Sequence, residues 1–214
     1  MKQTASSRRQ QIVSEATRLF SEQGFEKVTT KALAASCEIS EPALYRYFPS
    51  KDAIYDAVLD TLELRLHSEA LFQQLKQEND IEKLLYELAT EIFNFFSTNQ
   101  DVYRLMLYST LAGHEKARQI FQGIRGRFVA FLIEQLERLH AADLIIEKNY
   151  EITARCFTGM VFECALTATL WRGFLTRKYK PAEVIANNTS IFARGLRKDC
   201  PEVEKSQLSP ESEL

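Results

Sequence analysis

Between Thr29 and Lys51 the chain reads TTKALAASCEISEPALYRYFPSK, and three side chains in it suit a polyanion. Tyr45 and Tyr47 carry phenol hydroxyls that can donate to phosphate oxygens while their rings pack below. Lys51 can pair with phosphate as a point charge. Such contacts position a protein on nucleic acid and carry no sequence information themselves. Taken alone, the two aromatics fit a buried pair on a structural helix better. Reaction chemistry has less to stand on. No nucleophile sits beside a base, and no phosphate loop or metal triad is visible, so no enzyme is expected. Cys37, Cys156, Cys164 and Cys200 form no C-x-x-C pair and no disulfide framework. His67, His114 and His140 are scattered, so neither a metal nor a cofactor is expected.

The elements that must hold these residues are two short helices with a tight turn between them. Thr29 or Thr30 can cap the first, where a hydroxyl accepts from a first-turn amide. Ala32, Leu33, Ala34 and Ala35 then allow close packing. Ser40 is placed to cap the second, and Pro42 lies in its first turn, where a missing N–H costs nothing. Leu44 and Phe48, four apart, face a core, while Glu41 and Tyr45 share another face. Pro49 ends this helix, and Ser50 can cap the next. A helix, a turn and a second helix with a polar, aromatic outer face describe a helix-turn-helix.

Phe20, Gly24, Phe25, Thr29, Thr30, Leu33-Ala34, the run Ala43 to Phe48 and Ser50-Lys51 together resemble the N-terminal domain of the tetracycline-repressor (TetR) family. The resemblance covers residues 8 to 60. It implies an all-α fold, in which a three-helix DNA-binding head (residues 1–50) joins a ligand-binding and dimerisation body (51–198). It also implies that Thr30, Lys31, Tyr45, Tyr47 and Lys51 touch double-stranded operator DNA, and that Glu41, Pro42 and Tyr45 face base edges. Glu41 would accept from a cytosine amino group and Pro42 would meet a thymine methyl. Glu38 stands where the family often has Gly. A left-handed residue there would cost roughly 1–2 kcal/mol, so a differently shaped turn is expected.

Charge follows the same division. The net charge is −2. Residues 1–51 hold eight Lys/Arg and five Asp/Glu, giving +3, so the remainder carries −5. A basic end on an acidic body is the asymmetry expected when one end meets phosphate. No basic-then-apolar signal opens the chain. The longest apolar run, Cys156 to Trp171, contains Glu163 and is too short to span a bilayer. A reducing, cytoplasmic setting without membrane contact fits this cysteine usage best.

Helical periodicity continues to the end. Ser7 to Gln10 reads as a capping box, and a helix from Ser50 to about residue 72 is expected to join head and body without a break. Further helices are expected from Asn79 (stripe Ile81, Leu84, Leu85, Leu88, Ile92, Phe95, Phe96), from Asp101, from His114 to Leu139, from Asn149 to Phe174 and from Pro181 to Leu196. Gly123 and Gly126 inside the third of these, His114 to Leu139, would bend it or admit a close neighbour. The helix from Asn149 is apolar nearly all round, which predicts burial on both sides and makes it, with the last helix, the expected dimer face. Residues 199–214 are polar and acidic, and disorder is expected there.

Most body aromatics read as core. A subset is expected to line an effector pocket: Leu66, Phe96, Tyr103, Tyr108, Phe128, Phe131, Phe162 and Trp171. The resulting expectation is a homodimeric repressor, binding a palindromic operator and released by a small apolar or aromatic ligand. By family resemblance, the long connecting helix would tilt as one piece. The alternative is a DNA-binding regulator without a small effector, gated by a protein partner or acting constitutively.

Overall fold

The computed structural model describes residues 5–64, 69–171 and 180–198. These residues form ten helices and no strand: α1 (Ala5–Gln23), α2 (Thr30–Ser36), α3 (Glu41–Tyr45), α4 (Lys51–Leu64), α5 (Glu69–Leu75), α6 (Ile81–Thr98), α7 (Gln100–Leu111), α8 (Glu115–Ala141), α9 (Tyr150–Thr169) and α10 (Pro181–Leu196). The expected junction near residues 65–68, and with it the unbroken run from Ser50 to residue 72, lies outside the described residues, as does the acidic tail.

Local chemistry explains most helix ends. Thr29 caps α2 by accepting from the Ala32 amide, and Ser40 caps α3 through the Ala43 amide. Ser50 takes the Ala53 amide at the start of α4. Asp80 and Asn149 cap α6 and α9 in the same way. Ser7 differs: it lies inside α1, which already runs from Ala5. Gly24, at φ +82°, accepts the left-handed turn that ends α1.

The head is built on Ile12, Ala16, Phe20, Leu33, Leu44 and Phe48, all essentially buried. This core extends into the body without interruption. α1 packs on α4 and α7, α6 packs against α9 and α10, and α8 packs against α7 and α9. The α6 stripe is buried at each expected position except Phe95, which is half-buried.

One expectation about the long helices needs correction, and another is met only in part within a single chain. Gly123 and Gly126 of α8 are exposed, and a Cβ at either would meet nothing within 4 Å, so neither admits a close neighbour. α9 is not buried on both sides of the single chain. Phe157, Val161 and Phe162 face the core, while Ile152 is 58% exposed and Cys156 and Glu163 are also open. The cause is geometric: α6 and α8 cover one side of α9, and α10 covers only part of the rest. Ile191 on α10 is 60% exposed. A short bridge between Ile145 and Arg197, with the Ile146 amide donating to Leu196 O at 2.9 Å, ties the end of α10 back beneath α8.

Candidate nucleic-acid interface

The turn between α2 and α3 is set by backbone hydrogen bonds. Ile39 N donates to Ala34 O at 3.0 Å and Glu38 N to Ala35 O at 3.1 Å. This pair is the Schellman pattern, and it requires a left-handed residue between the helix end and Ile39. Glu38 takes that conformation, with φ at +56°. The turn therefore keeps the glycine geometry without the glycine. Two hydrogen bonds and the half-buried Ile39 offset the strain. Arg8 adds a further tie, donating to Cys37 O at 3.3 Å and to Gln11 at 2.7 Å.

This turn carries α3 to the surface with its outer face open. Pro42 and Arg46 are exposed, and the Tyr45 ring is 47% exposed. Lys31 on α2 is also exposed, and Tyr47 is half-buried against the core. Glu41 does not stand alone. The Thr30 hydroxyl donates to its carboxylate, joining the starts of α2 and α3. That bond uses part of the charge that would otherwise repel phosphate, and orients the remaining carboxylate oxygen. Arg9 lies over the Phe48 ring at 4.3 Å, which brings a cation from α1 to the edge of the same head.

Lys51 departs from its expected exposed position. Its ammonium is half-buried, donates to Phe25 O at 3.0 Å and Val28 O at 3.2 Å, and lies 4.2 Å from the centre of the Phe25 ring. Two of its three N–H groups brace the loop before α2, leaving one for a phosphate. Spacing in the sequence could not show this, because both acceptors are main-chain carbonyls more than twenty positions upstream. Burial pushes the Cys37 thiol up from its ordinary range, so this cysteine beneath the turn is a core residue and not a nucleophile.

In the body, the structure brings together Phe96, Tyr103, Phe128, Phe131 and Phe162 of the eight residues expected at a pocket. Phe96 contacts Tyr103 at 4.4 Å and Phe162 at 4.9 Å between ring centres. Phe128 joins them through Phe162 at 6.4 Å, and Phe131 stacks on Phe72 of α5 at 4.4 Å. Tyr108 and Trp171 do not belong to this assembly. Tyr108 is 49% exposed beside a cleft of about 450 Å³ between head and body, and Trp171 is 45% exposed at the end of α9. Leu66 lies outside the described residues. Sequence reasoning missed Arg125, whose guanidinium lies over Phe162 at 4.4 Å and near Phe121 at 5.6 Å. Its spacing to Phe121, four positions upstream on one helix, was the available signal. Among the described residues no group of His, Cys, Asp and Glu could hold a metal ion, and no helix is long and apolar enough to cross a membrane.

Comparison with known proteins gives this head a family. Residues 12–58 match the pattern described as bacterial regulatory proteins, tetR family. The chain is 30% identical over 138 residues to a nucleoid occlusion factor SlmA from Pasteurella multocida, covering 62% of this chain and 69% of that protein. It is 34% identical over 119 residues to the SlmA of Mannheimia succiniciproducens, where the match spans 55% of each chain. A TetR transcription regulator from Haloarcula marismortui superposes with a TM-score of 0.65 over 90% of this chain and 100% of that one, at 18% identity. The matched segment contains the helix-turn-helix, its left-handed turn and the exposed face of α3. The chain belongs to the tetR family and is a DNA-binding regulator.

Proposed function

We propose that the chain is a repressor that binds a palindromic operator as a homodimer and is released by a small apolar or aromatic effector. The observation that carries the DNA half is α3: a short helix on a fixed turn, with Pro42 and Tyr45 open to solvent, as is Lys31 on α2. Pro42 and Tyr45 meet base edges, and the free oxygen of Glu41 accepts from a cytosine amino group. Lys31, Tyr47 and the remaining N–H of Lys51 take phosphates, while Thr30 holds Glu41 in place. One such helix reads only a few base pairs, so useful specificity requires two heads. The open apolar positions Ile152 on α9 and Ile191 on α10 support pairing through these two helices. The aromatic assembly among α5, α6, α7, α8 and α9 supports an effector site in the body.

Selection of bound sequences from random duplex DNA tests the first half. The expected product is a two-fold repeat with half-sites about one helical turn apart or more. Recovery of no enriched sequence would refute operator recognition. Loss of DNA binding on addition of an effector found by thermal-shift screening tests the second half.

A second reading has its own support. Two relatives are named nucleoid occlusion factors, which is not a name for ligand-gated repressors. Under that reading the chain binds DNA and is gated by a protein partner instead. DNA affinity that no small molecule changes, together with a dimer that binds many dispersed sites, would favour it.

A further inference from the structure

We infer that the effector is an organic acid, and that Arg125 with Tyr103 receives its acidic group against the aromatic assembly of the body. This deepens the effector-released reading above and rests on it.

Arg125 occupies an unusual position for a cation. It is half-buried on α8, and the face of its guanidinium is covered by the Phe162 ring at 4.4 Å, with Phe121 at 5.6 Å. Ring faces attract the flat face of a guanidinium but accept none of its in-plane N–H groups as ordinary hydrogen bonds. Those five donors point outward from the guanidinium edge. Among the described residues, Arg125 makes no hydrogen bond or ion pair. Four other body arginines contrast with it. Arg118 pairs with Glu115, Arg155 with Glu151 and Arg197 with Glu82, while Arg138 donates to Gln135 and Asn79. Partly removing an arginine from water without a partner is costly. A bidentate carboxylate is the ligand whose geometry matches the open edge.

Tyr103 stands in the same assembly. Its ring lies 4.4 Å from Phe96 and 6.0 Å from Phe121, and it is 3% exposed. Its hydroxyl makes no hydrogen bond among the described residues. Burial pushes this phenol up, the largest effect, and the Arg125 charge acts in the opposite direction, so the hydroxyl is a neutral donor; both side chains lie against the Phe121 ring. Glu163 is the one carboxylate that also acts on Tyr103, but it is exposed, accepts from the Thr167 hydroxyl at 3.1 Å and is not within ion-pair distance of Arg125. A cation over Phe162 and a phenol donor against Phe96, in one aromatic assembly, select an acid with an apolar or aromatic tail.

The test uses the full chain and three matched pairs of probes: benzoate, 4-phenylbutyrate and decanoate, each against its neutral amide. Binding is measured by calorimetry and by the shift of the melting temperature. At least one acid is expected to bind about tenfold more tightly than its amide, the value of one charge-assisted hydrogen-bond set. Arg125→Gln is expected to remove that advantage, and Tyr103→Phe to reduce it about threefold. Arg155→Gln, which removes a surface arginine, is expected to leave it intact. If Arg125→Gln fails to fold, Tyr103→Phe and Arg125→Lys carry the comparison; wild-type discrimination in both overturns the inference. Equal binding of acid and amide also overturns it, while leaving an effector site in place. Binding by none of the six probes overturns it as well. Release of DNA by neutral compounds alone would refute the acid and keep the effector.

Discussion

Lys51→Ala is expected to unfold the head more readily, although the sequence places Lys51 where only phosphate should notice it. The side chain makes two hydrogen bonds from a charged donor to buried-side carbonyls, at 3.0 and 3.2 Å, and covers the Phe25 ring at 4.2 Å. A hydrogen bond from a charged group contributes about 1.5–3 kcal/mol and a cation over a ring about 0.5–1 kcal/mol. Lys51 is only half-buried, so the low end of each applies, and a loss of about 3 kcal/mol is expected. For a chain of this size, that lowers the melting temperature by roughly 6–12 °C. Lys51→Met separates the contributions, since it retains a stem to pack on Phe25 and loses both donors. It is expected to lose most of the same stability. Denaturation by urea, followed by circular dichroism, measures both variants. DNA affinity is then compared at low temperature, where each remains folded. There, loss of one phosphate contact lowers the slope of log affinity against log salt by about 0.9. Stability within about 0.5 kcal/mol of wild type for both variants would refute the bracing role, since that is the scale of an ordinary surface change. Lost stability with an unchanged salt slope would leave Lys51 as a brace and remove it from the phosphate contacts.

Glu38→Gly is expected to stabilise the chain by about 0.5–1 kcal/mol, the relief of a left-handed residue less the greater freedom of unfolded glycine, as read from urea midpoints. Tyr45→Ala is expected to change stability by under about 0.5 kcal/mol while weakening DNA binding, because its ring is 47% exposed; unchanged affinity by fluorescence anisotropy would remove Tyr45 from the interface. Ile152→Asp with Ile191→Asp is expected to convert a micromolar dimer to monomer in sedimentation, since a charge at the centre of an apolar contact is left unpaired. Tyr55→Phe is expected to cost about 1 kcal/mol by leaving Ser109 without its partner, and to reduce the factor by which an effector weakens DNA binding.

The head was legible in the sequence because its signals are local. Thr29, Ser40 and Ser50 each cap a helix three positions onward, and Leu33, Leu44 and Phe48 follow helical spacing into one core. A capping hydroxyl and its amide lie within one turn, so their relation is written in adjacent letters. What the sequence did not show are the partners that lie far away or compete with a local rule. Lys51 answers to carbonyls at 25 and 28, and Thr30 answers to Glu41 across the turn. Glu38 breaks the local preference for glycine because Ile39 and the hydrogen bonds of Ala34 and Ala35 fix the turn regardless. In the body, periodicity found the buried stripes but not their neighbours. Phe96 and Phe162 meet across two helices, and nothing in either segment names the other. Apolar residues all round α9 predicted burial on both sides with a second copy, and the single chain leaves Ile152 open.

The way head and body meet limits how a signal can pass between them. A single connecting helix that swings freely would need little other contact across the junction. The structure shows a broad joint instead. α1 lies along α7, and the Tyr55 hydroxyl of α4 donates to the buried Ser109 of α7. His114, at the start of α8, packs on Phe25 at 5.0 Å and on Tyr55 at 5.1 Å. Lys116, two positions along, holds Asp60 at 2.9 Å and Asp56 at 3.3 Å on the outer side of α4. Head and body are therefore gripped at both faces of α4. α8 also carries Arg125, nine positions beyond Lys116, or roughly 14 Å at 1.5 Å per residue. One rigid helix thus links the guanidinium proposed to receive an acid with the residues that grip the head. An acid that draws Arg125 toward itself acts on α8 directly, and the head follows through His114 and Lys116. A coupling of ~1–3 kcal/mol is the usual size for such a link, and it acts equally in both directions. The Tyr55→Phe variant loosens the inner grip while leaving Arg125 and the α3 face untouched. Reduced coupling with intact binding at both sites is what separates this route from one that runs through the segment after α4 alone.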